Sequence, residues 1–352
     1  MRIAFLTYST RPRGGVVHTL ALAEALAELG EDVTVWTLGR GGDAGFFRAV
    51  DPRVRLRIVP FPDLAGEAVG PRILRSIAVL RTAFTPGEYD IVHAQDCISA
   101  NAVDRCVRTV HHLDQFTTPE LVACHERAIV RPYAHVCVSA AVAAELEAGW
   151  ARRAVVIPNG VEAARFAAAT PSRRHGSYLV TVGGIEPRKG SIDLLEAYAL
   201  ARDRIPWLRL IIAGGETLFD YRSYRATWEN RARALGVTPE VLGTVPHDDL
   251  PALVAGAAAF AFPSTKEGFG LAAMEALAAG VPVVVRDLPV LRDVFGDTVR
   301  YGTELASLAD ALLAAIKDPD PARQTRGRAL AFTHTWSAAA RRHLSLYRAL
   351  VA

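Results

Sequence analysis

Residues 178–202 read YLVTVGGIEPRKGSIDLLEAYALAR. Tyr178–Val182 is an apolar run of strand length. Gly183 and Gly184 follow, then Glu186-Pro187-Arg188-Lys189-Gly190, then Ser191–Arg202, a stretch of helix length. Strand, glycine turn and helix in that order form the unit from which parallel sheets covered by helices are built. The turn also has a chemical meaning. Two glycines, an Arg-Lys pair and a helix N-terminus make a cradle for a diphosphate. Lysine is a point charge suited to phosphate, and arginine can fork across two oxygens. The bland reading of the same residues is a solvated basic turn.

The pattern repeats on both sides of this stretch. Downstream, Leu208–Ala213, Ala258–Phe262 and Pro282–Val285 read as strands, with helices at Tyr221–Leu235, Leu271–Ala279 and Glu304–Lys317. Upstream, the strands are Arg2–Tyr8, Asp32–Leu38, Val54–Val59, Asp90–Ala94, Val107–His111, His135–Val138 and Ala154–Ile157. Helices are expected at Val16–Leu29, Ile73–Phe84, Pro119–Val130 and Ala140–Ala148. Asn159–Ser177, rich in small residues with Gly and Pro, is the linker candidate. A chain of 352 residues fits two domains at roughly 150 residues each. These are placed at 1–165 and 172–333. A last amphipathic helix within 334–352, with Leu344, Tyr347 and Leu350 on one face, is expected to pack back on the first domain. In open sheets of this kind ligands bind beyond the carboxyl ends of the strands, so facing domains would share a cleft.

Composition excludes several classes. The net charge of +3 with no run of five like charges gives no footprint for nucleic acid. No stretch approaches the ~18 apolar residues of a membrane span, and the N-terminus MRIAFLTY lacks a signal-peptide pattern. Cys97, Cys106, Cys124 and Cys137 show no zinc or C-x-x-C spacing and read as free thiols. The expected setting is the cytoplasm. Ile73, Leu74, Ile77, Leu80 and Phe84 form an apolar stripe flanked by Arg72, Arg75 and Arg81. A core-facing helix explains it better than a peripheral membrane contact.

Three further motifs carry chemistry. Pro263-Ser264-Thr265-Lys266-Glu267-Gly268-Phe269-Gly270-Leu271 leaves a strand and enters a helix that holds Glu275. Gly268 and Gly270 let amides near Leu271 approach a phosphate, while Glu267 and Glu275 can accept sugar and ribose hydroxyls. Arg13-Gly14-Gly15-Val16 opens the first helix; it is an anion or polar-group site, or a plain tight turn. It is not G-x-G-x-x-G, so a dinucleotide site is disfavoured. Thr109-Val110-His111-His112-Leu113-Asp114 ends a strand, where one histidine can face a ligand.

In this order the pieces resemble the large family of retaining glycosyltransferases that contains sucrose synthase, bacterial glycogen-synthase-like enzymes and mannosyltransferases. Within it the chain resembles a mostly bacterial subfamily linked to small biosynthetic gene clusters. Ser139 in CVSAAVAAEL, Ile157-Pro158-Asn159-Gly160-Val161 and Ala278-Ala279-Gly280-Val281-Pro282-Val283 complete the likeness. The resemblance implies an α/β fold of two Rossmann-like domains with parallel sheets facing across a cleft, the GT-B architecture. It implies a nucleotide-sugar donor, with UDP the commonest nucleotide, an unidentified acceptor, no separate cofactor and no metal. By the same likeness Lys189 and Arg188 hold the diphosphate, with Gly183 and the amides of Gly268, Phe269, Gly270 and Leu271. Glu275 binds the ribose, Glu267 the sugar, and His111 reaches the sugar from the first domain. Gly14 and Gly15 allow close approach, and His111, Lys189 and Glu267 form the catalytic set. Two departures stand out. Gly184 occupies a position where the family usually has arginine, and Arg286–Arg292 replaces a Gly-Gly segment expected to help choose the donor sugar. The expected reaction retains the anomeric configuration, the leaving diphosphate oxygen taking the acceptor's proton. Asp318-Pro319-Asp320 reads as a turn. A sugar-nucleotide epimerase and a non-catalytic binding protein are the competing readings.

Overall fold

The computed structural model describes residues 1–113, 116, 119–215 and 221–352. They form two compact units, 1–160 with 336–352, and 161–335.

The first unit is built on a seven-stranded parallel sheet. Its strands are β1 (Arg2–Leu6), β2 (Asp32–Arg40), β3 (Arg55–Phe61), β4 (Ile91–Ala94), β5 (Val107–Val110), β6 (Ala134–Cys137) and β7 (Val155–Val156), in spatial order 3-2-1-4-5-6-7. Chain order reverses between β1 and β4, which makes their carboxyl ends the switch point where such sheets bind ligands. Helices α1 (Gly14–Glu28), α2 (Val69–Ala83), α3 (Cys97–Ala102), α4 (Pro119–Val130) and α5 (Ala140–Trp150) supply the crossovers. Alternation along β1 sorts its side chains: Ile3 and Phe5 join one core, Ala4 and Leu6 another. On α2, Ile73 and Leu80 are buried, as is Phe84 just beyond it, while Leu74 is exposed. Arg75 is bonded to Glu67. The stripe is therefore a core stripe. Cys106, Cys124 and Cys137 are buried and Cys97 half-buried, all as free thiols.

The second unit has a six-stranded parallel sheet, β8 (Tyr178–Val182), β9 (Arg209–Ala213), β10 (Glu240–Gly243), β11 (Ala259–Phe262), β12 (Val283–Arg286) and β13 (Arg300–Gly302), in spatial order 10-9-8-11-12-13. Its helices are α6 (Ala163–Ala167), α7 (Ser191–Arg204), α8 (Arg222–Ala234), α9 (Leu250–Ala255), α10 (Leu271–Ala278), α11 (Pro289–Phe295), α12 (Leu305–Lys317) and α13 (Pro321–Thr333). Two readings are corrected here. The expected linker contains α6, whose Phe166 is 1% exposed, so that stretch is part of the second unit's packing. The expected loop 286–292 becomes helical from Pro289, a residue whose fixed φ suits a first helical turn. Asp318–Asp320 is the turn between α12 and α13, and Asp320 caps α13 by accepting from the Arg323 amide at 2.9 Å.

The last helix, α14 (Trp336–Val351), belongs to the first unit. Its Ala339, Ala340, Leu344 and Tyr347 join the core of Ile3, Phe5, Leu22 and Leu26. Tyr347 is fully buried, and its hydroxyl lies 2.5 Å from His93 Nδ1. Gly160 lies directly against this helix: a Cβ there would overlap the Trp336 backbone. No described helix is long and apolar enough to cross a membrane.

Candidate functional site

The quoted turn of the second unit leaves the carboxyl end of β8. Gly183 has φ +147, a conformation side-chain-bearing residues rarely adopt, and the Lys189 stem lies 3.4–3.5 Å from where its Cβ would be. The backbone conformation is what calls for glycine at 183, and the Lys189 stem lies against it in ordinary van der Waals contact. Pro187–Lys189 forms a single tight turn, and Gly190, at φ +63, leads into α7. Lys189 Nζ lies 2.5 Å from Glu267 Oε1 and 5.1 Å from the centre of the Phe262 ring. Arg188 reaches the same Glu267 oxygen at 3.2 Å and Glu186 Oε1 at 3.2 Å. Two cations and two carboxylates thus share one cluster, and the side chains of Lys189 and Glu267 are 20% and 11% exposed.

Glu267 is delivered by the loop after β11. That loop is tied to the first one: the Thr265 amide donates to the Arg188 carbonyl at 2.8 Å, and Arg188 Nη1 to the Lys266 carbonyl at 3.3 Å. Gly270, at φ +94, sits over Phe295 and starts α10, whose first turn has no side-chain cap. Its leading amides, from Leu271 onward, are therefore available to an anion. Phe269 is buried and packs on His334 at 5.5 Å between ring centres. The buried Ser264 hydroxyl finds no partner among the described residues.

Glu275 sits apart from the cationic cluster, on the second turn of α10. Burial pushes its carboxyl up to about 8, the nearby Glu162 carboxylate adds to the rise, and Arg165 opposes it. It is mostly protonated at neutral pH, and can donate a hydrogen bond as well as accept one.

In the first unit, Gly14 and Gly15 start α1 just beyond β1. A Cβ on Gly15 would lie 3.5 Å from His111 Nε2, and space over Gly14 is open to 4 Å. His111 follows β5 directly. Burial pushes its imidazole down to about 3, helped by His112, Arg108 and His93. It is neutral at physiological pH, and its buried Nε2 has no partner among the described residues. His111 also borders a set of buried imidazoles. The His18 ring is 4.8 Å from it, and His18 is linked to Asn159 at 2.9 Å. His93 bonds Tyr347 and Thr109, and its ring lies 5.8 Å from that of His343. Asp114, the end of that motif, lies outside the described residues.

The structure therefore gathers Gly183, Arg188, Lys189 and Glu267 into one cluster, puts Gly268, Phe269, Gly270 and Leu271 at the head of α10, and places Gly14, Gly15 and His111 together in the other unit. Sequence reasoning missed Glu186, Thr265, Glu162 and the histidines behind His111. The alternation Glu186-Pro187-Arg188 carried a signal for the first. Thr265 lay inside the quoted Glu267 motif, but its bond to the Arg188 carbonyl joins distant segments, and Glu162 and the histidines are likewise brought in only by the fold.

Comparison with known proteins follows the same division. The profile of "Glycosyltransferase Family 4" matches residues 12–165, and that of "Glycosyl transferases group 1" matches residues 164–330. A phosphatidyl-myo-inositol mannosyltransferase of Propionibacterium freudenreichii is 29% identical, the alignment covering 96% of this chain and 91% of that protein. A D-inositol 3-phosphate glycosyltransferase of Actinosynnema mirum is 30% identical over 88% of each chain. Among solved structures, Anabaena Alr3699/HepE in complex with UDP and glucose is similar with a TM-score of 0.75 at 18% identity, covering 99% of both chains.

Proposed function

The chain belongs to the group 1 glycosyltransferases, and from that premise we propose that it is a retaining enzyme using a UDP-sugar. It is a hexosyltransferase with two Rossmann-like halves. The observation that carries the finer reading is the cluster of Arg188, Lys189 and Glu267 at the ends of β8 and β11. Two cations fixed on glycine turns, beside an uncapped helix N-terminus, suit a leaving diphosphate.

In the proposed reaction the bond between the anomeric carbon and the diphosphate oxygen breaks. Lys189, Arg188 and the α10 amides take up the charge that grows on that oxygen. The oxygen accepts the proton of the acceptor hydroxyl, which attacks from the same face of the sugar. The charge is met by side chains and amides, so the reading requires no metal. Glu267 leaves its partners and receives sugar hydroxyls, Glu275 in its neutral form binds the ribose diol, and neutral His111 hydrogen-bonds the sugar. Arg188 takes the place of the arginine the family carries at Gly184. The UDP assignment is supported by the UDP complex of the structural neighbour. Both named relatives act on inositol-containing acceptors, which makes myo-inositol and its phosphate the first acceptors to offer.

The test is a screen of nucleotide sugars without acceptor, reading which nucleoside diphosphate is released, followed by calorimetry with UDP, GDP and ADP. UDP release and tightest UDP binding are expected. A clear preference for GDP or ADP removes the UDP assignment, and conversion of the nucleotide sugar to an epimer removes the transferase mechanism.

A further inference from the structure

Arg286 closes β12, and its side chain is 15% exposed. Its guanidinium faces three segments. Nε donates to the Pro263 carbonyl at 2.9 Å, Nη1 to the Thr303 carbonyl at 3.3 Å, and Nη2 pairs with the Asp193 carboxylate. Pro263 opens the loop that carries Glu267. Asp193 lies in the first turn of α7, three residues after Gly190, which ends the loop that carries Lys189. The two loops touch at this root. A Cβ on Gly190 would overlap the Pro263 carbonyl and lie 3.2 Å from Arg286 Nη2. At their tips they are joined by the Thr265 amide on the Arg188 carbonyl.

We infer that Arg286 is a positioning residue that sets the spacing between the Lys189 loop and the Glu267 loop, and through that spacing the affinity for the donor diphosphate. The inference rests on the proposed donor site. Arg286 is neutralised by Asp193, and its Nε and Nη1 donate to backbone carbonyls of the two neighbouring segments, so it acts through the loops. The planar fork is what allows one side chain to serve acceptors on three segments; a lysine would keep a single point charge. Without it, two carbonyls lose their donor at the junction that decides where Lys189 meets Glu267.

The experiment compares UDP with uridine by calorimetry, because a fault in loop spacing weakens diphosphate binding and leaves nucleoside binding alone. Arg286→Met is expected to lose about tenfold in UDP affinity, the scale of one charge-assisted hydrogen bond, with uridine affinity unchanged and turnover reduced. Arg286→Lys recovers part of the loss, since it keeps the Asp193 pair. On a Lys189→Ala background the Arg286→Met effect shrinks to less than about twofold, as expected when two residues act through one contact. If Arg286→Met fails to fold, Asp193→Asn carries the test, with a loss of about threefold in UDP affinity alone. Wild-type UDP binding in a folded Arg286→Met protein overturns the inference, as does an equal loss of UDP and uridine. A wild-type protein that binds no nucleoside diphosphate overturns the donor site itself, and that result is seen before any variant is made.

Discussion

Both units start a helix with glycines at the end of a central strand, yet they surround those glycines with opposite chemistry. Against Gly15 stands His111, with further imidazoles behind it. His18, His93, His111 and His343 are all buried enough that their protonated forms are disfavoured. Around Gly183 and Gly190 stand Glu186, Arg188, Lys189 and Glu267, already paired with one another. The first region offers directional hydrogen bonds without charge. The second offers cations whose partner must give way before an anion enters. On the proposed reading a diphosphate would therefore exchange with Glu267 instead of filling a bare positive site, and the released carboxylate would become free for hydroxyls.

The largest expected effect breaks the second region. Lys189→Ala should lower transfer by roughly the ~3 kcal/mol of one lost transition-state stabiliser, and should weaken UDP binding as well. Steady-state kinetics with the donor found in the screen, beside UDP calorimetry, measure both. Near wild-type transfer in a folded variant would mean that the ion-pair cluster is only structural. Glu267→Gln comes next and sharpens the exchange. With the competing charge gone, UDP affinity should hold or rise by a few-fold, while transfer falls by about tenfold to a hundredfold. A variant that loses UDP affinity instead would show that Glu267 organises the cations and does not compete for them.

These effects also mark what could be read from the sequence. The α/β class and the parallel sheets followed from strand, turn and helix units such as 178–202, because buried parallel strands are apolar runs and glycine turns punctuate them. The residues of the Lys189 and Glu267 cluster were legible for the same reason: they sit on those turns. The pairing of Glu267 with both cations was not, because it joins positions 78 and 79 residues apart. Helix α6 was hidden in a stretch whose small residues read as linker, and its burial depends on Phe166 meeting elements distant in sequence. The neutral state of His111 was also out of reach, since it comes from burial, from His112 and Arg108 in its own segment, and from His93 on the neighbouring strand β4.

That neutrality gives the test of the first region. His111→Asn should leave UDP affinity unchanged and lower transfer by about tenfold, the cost of one lost hydrogen bond to the sugar. His111 titrates near 3 and not near the ordinary 6.5, so kcat/KM should show no limb from this residue between pH 5 and 8. An acid limb near 6.5 that vanishes in His111→Asn would show a histidine exposed enough to charge. Stability carries the opposite dependence on pH. A depressed histidine favours the folded state above the unfolded value near 6.5, and that contribution is lost as pH falls toward 3. Denaturant unfolding at pH 7 and pH 5 should therefore give a lower midpoint at pH 5.

Glu275 supplies the smallest effect and the cleanest contrast, because its titration runs the other way. Its carboxyl is raised from 4.5 to about 8 by burial, with Glu162 adding to the rise. The proton it keeps in the folded protein favours folding fully below 4.5, and that contribution is lost as pH rises through 8. On the proposed reading the same proton would let Glu275 donate to one ribose oxygen while its other oxygen accepts from the neighbouring hydroxyl. Ionisation removes the donor and leaves a buried charge that ribose hydroxyls stabilise only in part. UDP affinity should thus fall by a few-fold between pH 7 and pH 9. Glu275→Gln keeps a donor and an acceptor and cannot ionise, so it should bind UDP within a few-fold of wild type and lose this pH dependence. Ribose does not change during transfer, so the variant should shift KM and leave kcat. The check is UDP calorimetry at pH 7, 8 and 9 on both proteins, with uridine as a second ligand that lacks the diphosphate and its own titration. If uridine binding to wild type stays flat across that range, or falls equally in Glu275→Gln, the neutral carboxyl is not what holds the ribose.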